Sequence, residues 1–189
     1  IFAFTQSEQA DLRSIILTCL VTFWAIRLAS FLFLRVRKQG SDSRFDEIKL
    51  NFWRFSIAWT VQGLWVLVTA AAAIAAITSS YKVDFGWIGA FGLLLWLIGF
   101  VIEAVADNQK RLFKQQNNTH KEFIQTGLWA RSRHPNYFGE ILLWIGIAII
   151  AYPALYQWQV LTLISPIFVI LLLTKISGIS LQEQQADKR

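Results

Sequence analysis

The chain has 189 residues, 55% of them hydrophobic, with nine Trp, fifteen Phe and a formal net charge of +6. Its apolar residues are gathered into runs long enough to cross a bilayer, which excludes an ordinary soluble domain. The basic residues fall in the links between those runs, so the positive charge is a topology signal and excludes a nucleic-acid-binding face.

Cys19 is the single cysteine and lies inside an apolar run, so no disulfide framework or thiolate metal site is expected. His120 and His134 are too far apart for a helical zinc motif, and no metal is expected. The stretch before the first run holds acidic and polar residues, unlike the basic start of a cleavable signal peptide. With Ile1 first and no Met anywhere, a fragment is expected, a single membrane domain over residues 1–189.

In chain order, five spans are predicted: Ile15–Leu34, Phe52–Ile77, Phe85–Ala106, Phe138–Ala154 and Trp158–Ile176. Each comes close to the roughly 20 apolar residues that a helix needs to cross about 30 Å of hydrocarbon, the fourth being the shortest. The fold class is therefore an all-α polytopic bundle. The Ala70–Ala73 run inside the second span predicts close helix packing, since small residues let membrane helices approach. Segment 35–54 carries six basic and three acidic residues, and 107–137 carries six and two. The links at 79–84 and 152–157 carry one of each sign and none. This alternation predicts that both basic loops are cytoplasmic, in a bacterial inner membrane or the endoplasmic reticulum. In a cytoplasmic loop the glycosylation acceptor at Asn117-Asn118-Thr119 would stay unmodified.

The densest chemistry lies at T-G-L-W-A-R-S-R-H-P-N-Y-F-G-E, Thr126 to Glu140. There Arg131, Arg133 and His134 crowd a Pro-Asn dipeptide at the mouth of the fourth span. Unpaired N–H groups at a helix start, together with added cations, suit an anion and above all a phosphate. Simple anchoring of the helix by basic residues is the plainer alternative.

Four polar residues sit within or at the edge of the hydrocarbon: Arg27, Gln62, Glu103 and Glu140. An ionisable group at that depth costs about 2.5–3.5 kcal/mol on insertion scales, so each needs a reason. If the third helix continues past its apolar run, Glu103, Asp107 and Arg111 share one face. Glu103 then requires a buried partner, and Arg131 or Arg133 across the loop is expected to supply it. Arg27 either snorkels, lines an internal cavity or meets a carboxylate, with the cavity favoured. Gln62 is open between a helix-to-helix hydrogen bond and a substrate contact. Glu140 is open between capping the fourth helix and joining Asn136 in holding a bound amide. Phe23, Trp24, Trp53, Phe55, Trp59 and Trp65 would suit a flat apolar ligand or an interfacial belt.

Several stretches together resemble the steroid 5α-reductase-like family of membrane proteins, in its DUF1295-type branch. They are S-R-H-P-N-Y-F-G-E, G-S-D-S-R-F-D at 40–46, V-Q-G-L-W-V at 61–66, G-F-V-I-E-A-V-A-D at 99–107 and S-G-I-S-L-Q-E at 177–183. The shorter R-H-P-x-Y-x-G element is shared with isoprenylcysteine carboxyl methyltransferases. The resemblance implies NADPH as cofactor, held through Glu103, Asp107, Arg111 and Lys114 on the third helix. Arg131, Arg133, His134 and Asn136 would hold it at the start of the fourth. It further implies Tyr137 and Glu140 as catalytic candidates and a steroid- or lipid-like substrate reached by Arg27 and Gln62. The reaction implied is reduction of a carbon–carbon double bond conjugated to a carbonyl. Departures are present: the family's carbonyl-holding Tyr would fall near Trp24, its early-helix Glu is not found, and Gln182, Gln184 and Gln185 stand where a His- and Tyr-containing segment is expected, so the resemblance implies a fragment lacking an N-terminal helix and a C-terminal tail. A membrane methyltransferase using S-adenosylmethionine and a non-catalytic scaffold are the alternative readings.

Overall fold

The computed structural model describes residues 11–39, 50–116 and 124–176. Helix α1 spans Leu12–Gln39, α2 Phe52–Thr78, α3 Gly86–Gln116 and α4 Pro135–Ala151. The fifth crossing is irregular: 3₁₀ turns from Gln157, then α5 at Ile164–Leu171, then a π-helical turn at Leu172–Ile176. Five segments are long and apolar enough to span a membrane, and no strand is present among the described residues. The protein is an all-α polytopic membrane bundle. The motifs at 40–46 and 177–183, the acceptor at Asn117 and His120 lie outside the described residues.

Helix α1 runs past its predicted span of Ile15–Leu34 at both ends, and two further differences bear on the site. Helix α3 continues ten residues past Ala106 to Gln116, because the polar Asp107–Gln116 stretch keeps good helix formers and has no Gly or Pro to stop it. Helix α4 starts at Pro135, three residues before Phe138, with Pro at its first position, where the missing N–H costs nothing. Glu140 therefore stands well inside α4 and caps nothing. The N-cap is His134, without a side-chain cap bond, and so Asn136 is no cap either.

The tightest contact in the bundle is the antiparallel α3–α4 hairpin. Gly92 and Gly99 on α3 and Gly139 and Gly146 on α4 are each seven residues apart, which puts each pair on one helix face. A Cβ added at Gly99 would come within 2.6 Å of the Gly139 carbonyl oxygen, and one at Gly146 within 2.6 Å of that of Gly92. Backbone thus meets backbone at two levels, as expected where small residues replace hydrophobic sorting between membrane helices. The Ala70–Ala73 stretch behaves likewise on α2: Ala70, Ala72, Ala73 and Ala76 are buried in the core with Leu143, Trp144, Ile147 and Val169.

The end away from the basic loops is tied by Arg13, the second residue of α1 and 2% exposed. Its guanidinium donates to the Ile150 carbonyl at 2.5 Å, the Asp84 carbonyl at 2.5 Å and the Phe85 carbonyl at 3.3 Å. Ile150 lies in the last turn of α4, whose carbonyls have no intrahelical partner and carry the negative end of the dipole. One cation thus closes α4, fixes the α2–α3 link and holds the start of α1, where Asp11 accepts from the Ser14 N–H at 2.9 Å.

Candidate functional site

Fourteen residues along α1 from Arg13, a second arginine makes a different contact. Arg27 forks across to α3, with Nη1 on Glu103 Oε1 and Nη2 on Asp107 Oδ2, each 2.5 Å. The four-residue spacing of the two carboxylates puts them one turn apart on α3, a fit for the two-pronged guanidinium. Its plane lies over the Phe100 ring at 5.3 Å. Glu103 is thus served by Arg27, and not by Arg131 or Arg133, which are exposed beyond the loop. Of the three fates open to Arg27, it meets carboxylates. Glu103 is 6% exposed, and its second oxygen, Oε2, is buried without a hydrogen-bond partner.

Helix α4 completes the cluster from the opposite side. Asn136 hydrogen-bonds Asp107, while Glu140 faces Glu103, Asp107 and Arg27. Tyr137 faces Glu140 and Asp107, and its ring stacks on His134 at 5.2 Å. These approaches follow from the glycine contact: the Cβ position of Gly139 lies 2.9 Å from Glu103 Cβ, so the residues flanking Gly139 are pressed onto the α3 carboxylates.

The connection into α4 folds back onto α3. A 3₁₀ turn at Gly127–Ala130 seats the Trp129 indole, which donates to the Ala106 carbonyl at 3.0 Å and carries Lys110 over its ring at 4.9 Å. The Leu128 N–H donates to Gln109 Oε1 at 3.0 Å. Gly127 has φ +61, and a side chain there would also collide with Gln109, so glycine is required twice over. Docked this way, the turn delivers Arg131 and Arg133 to the end of the bundle where Arg111 and Lys114 emerge from α3, all four exposed. Arg111 donates to Asn108 at 2.6 Å.

The predicted residues divide accordingly. Arg27, Glu103, Asp107, Asn136, Tyr137 and Glu140 come together in one polar cluster, with His134 stacked at its edge and Arg111, Lys114, Arg131 and Arg133 on the exposed rim. Gln62 does not join them; it is exposed on α2. The aromatic set also splits. Trp24 packs edge-on against Trp144 at 5.0 Å, and Phe23 lies on Phe100 at 5.1 Å beneath the Arg27 fork. Trp53, Phe55 and Trp59 are exposed on α2. Sequence reasoning passed over Gln109, Lys110 and Trp129, which seat the turn, and the paired glycines that press α4 onto α3. The seven-residue glycine spacing was the available signal.

The family model described as "Protein of unknown function (DUF1295)" matches residues 1–189. Delta(14)-sterol reductase ERG24 of Saccharomyces cerevisiae is 37% identical over 71 residues, covering 32% of this chain and 16% of that protein. The mouse (Mus musculus) protein 3-oxo-5-alpha-steroid 4-dehydrogenase 1 is 34% identical over 58 residues, covering 31% and 23%. The chain thus aligns with less than a quarter of the length of either relative. No solved structure matches it. With a match over its whole length, the chain belongs to the DUF1295 family, a steroid 5α-reductase-like family of membrane proteins.

Proposed function

We propose that this protein is an NADPH-dependent membrane oxidoreductase that reduces a carbon–carbon double bond conjugated to a carbonyl in a steroid- or lipid-like substrate. One observation carries the reading: an acid-and-amide cluster, with Glu103 buried and Asp107, Asn136 and Glu140 half-buried, adjoins an exposed cationic rim. The rim of Arg111, Lys114, Arg131 and Arg133 supplies more cations than a pyrophosphate alone uses, which suits a further 2′-phosphate. The cluster of Glu103, Asp107 and Glu140 repels phosphate and accepts hydrogen bonds, so a dinucleotide would lie with its phosphates outward and its carboxamide inward. There Asn136 and Glu140 offer a donor and an acceptor to that amide. When bound, NADPH supplies a hydride to the β-carbon of the double bond. In this reading Tyr137 and Glu140 supply hydrogen bonds to charge building on the substrate. The bilayer supplies an apolar substrate, and the basic end is proposed to face the cytoplasm.

Both named relatives are a reductase and a dehydrogenase of steroid compounds by name, which supports this reading over S-adenosylmethionine chemistry. The test is titration of the purified full-length protein with NADPH, NADH and S-adenosylmethionine. NADPH is expected to bind more tightly than NADH. Equal affinity for the two, or saturable binding of S-adenosylmethionine alone, would overturn the reading.

A further inference from the structure

The polar cluster contains one carboxyl group more than its cations can serve. Asp107 has Arg27, Lys110 and the Asn136 amide around it. Glu103 has the other prong of Arg27 on Oε1, and its Oε2, on a residue 6% exposed, has no partner. Glu140 faces Glu103, Asp107 and Arg27, and Arg27 is already committed to the two α3 carboxylates. From α1 the group facing Glu103 and Glu140 is Arg27. From α3 come Glu103, Asp107 and Lys110 beyond it, and from α4 Tyr137 and Glu140 with His134 behind. Three carboxyls therefore meet two cations. Glu103 is buried and Asp107 and Glu140 are half-buried, so a carboxylate there without its own cation or proton is costly, and the close glycine contact between α3 and α4 leaves little room for solvent to offset it.

We propose that Glu103 and Glu140 hold one proton between them, shared through Glu103 Oε2, and that this pair is the proton store of the site. The refilling path is written on one face of α4. Tyr137 and Glu140 are three residues apart on α4 and the N-cap His134 stacks on Tyr137, so the three side chains form a file from the edge of the bundle inward. The His134 and Tyr137 rings are in contact, and Tyr137 faces Glu140. This inference rests on the reductase reading for its use of the proton. Hydride addition at the β-carbon leaves an enolate, which takes one proton at the α-carbon to give the saturated ketone. The Glu103–Glu140 pair gives up that proton and becomes two carboxylates. Tyr137 then passes its hydroxyl proton to Glu140 and regains one that bulk solvent relays across the His134 imidazole, which is neutral at rest. His134 and Tyr137 are positioning residues in this scheme, and Glu140 is the donor.

The proton store can be read without substrate. Infrared spectroscopy of the full-length protein in lipid at neutral pH is expected to show the carbonyl stretch of a protonated carboxyl, shifting on exchange into D₂O. The band is expected to be lost in Glu103→Gln and in Glu140→Gln, and kept in Asp84→Asn at the opposite end. Tyr137→Phe should keep the band but slow its H/D shift. Thermal melting of each variant shows whether it is folded, and if Glu103→Gln does not fold, Glu140→Gln and Tyr137→Phe decide. Absence of the band in the parent, its persistence in Glu140→Gln, or an unslowed shift in folded Tyr137→Phe overturns the proposal. NADPH titration of the same preparation separates the two ideas. A band without NADPH binding sinks the reductase reading alone, and NADPH binding without a band sinks the proton store alone.

Discussion

Helix α1 carries two inward arginines, and they are used in opposite ways. Arg13 is 2% exposed and donates to the carbonyls of Ile150, Asp84 and Phe85, neutral acceptors at the ends of other elements. Arg27 is more open, its side chain 18% exposed, and donates to two carboxylates in the middle of a helix face. The first completes unfinished backbone, which is a folding task. The second lends a cation to a cluster with more acid than base, and such imbalance is maintained where protons or ligands are handled. A buried arginine in a membrane helix is therefore not by itself a site; what it donates to decides.

The sharpest way to break this contrast is at Arg27. Arg27→Met leaves the buried Glu103 and the half-buried Asp107 without their shared cation, and removing one partner of a fully buried ion pair costs about 3–5 kcal/mol, which is the upper bound here. Neutralising the acids as well, by Glu103→Gln with Asp107→Asn, is expected to recover most of the thermal stability without restoring NADPH binding. Failure of the triple variant to regain stability over Arg27→Met would show that Arg27 acts through packing on Phe100 and not through charge.

Arg13→Met tests the other side of the comparison. It orphans the Ile150 and Asp84 carbonyls, at about 1–3 kcal/mol each, and removes the positive end-cap of α4. Melting in detergent should fall by a comparable amount, while the NADPH affinity of the folded fraction stays at the parent level. A selective loss of affinity would mean that the two ends of α1 are coupled, and that the division into a folding arginine and a site arginine is wrong.

How much of this was legible in the sequence follows from the range of each signal. The five apolar runs and the i, i+4 relation of Glu103 and Asp107 are local, and the order of residues alone discloses them. The ends of α3 and α4 were misplaced because hydropathy marks where the membrane stops, whereas a helix stops only where propensity or a Pro ends it. The partner of Glu103 was missed for a different reason. Arg27 is 76 residues away in sequence, and nothing local selects it over Arg131 or Arg133. The glycine pairs were visible as a seven-residue spacing on each helix, but that they face one another depends on the register of the hairpin, which the sequence does not print. Gln62 shows the converse: a polar residue deep in an apolar run invited a role in the site, and the rotation of α2 leaves it facing outward.

The smallest expected effects fall on α4, and they sharpen the comparison by asking whether the cluster serves a ligand or only itself. Asn136 hydrogen-bonds Asp107, and Glu140 stands one turn further along and faces Glu103. Neither caps the helix, since the N-cap is His134, so the loss of about 1 kcal/mol typical of removing a capping Asn is not expected from Asn136→Ala. Each lost hydrogen bond to a bound carboxamide should weaken NADPH by about 0.5–3 kcal/mol, a loss of roughly twofold to somewhat over a hundredfold in affinity. Asn136→Ala and Glu140→Gln are to be compared with the parent for unfolding temperature without ligand and for NADPH affinity. Lower affinity at nearly unchanged stability assigns both side chains to the cofactor. Lower stability at unchanged affinity would place them, like Arg13, among the residues that only hold the bundle together.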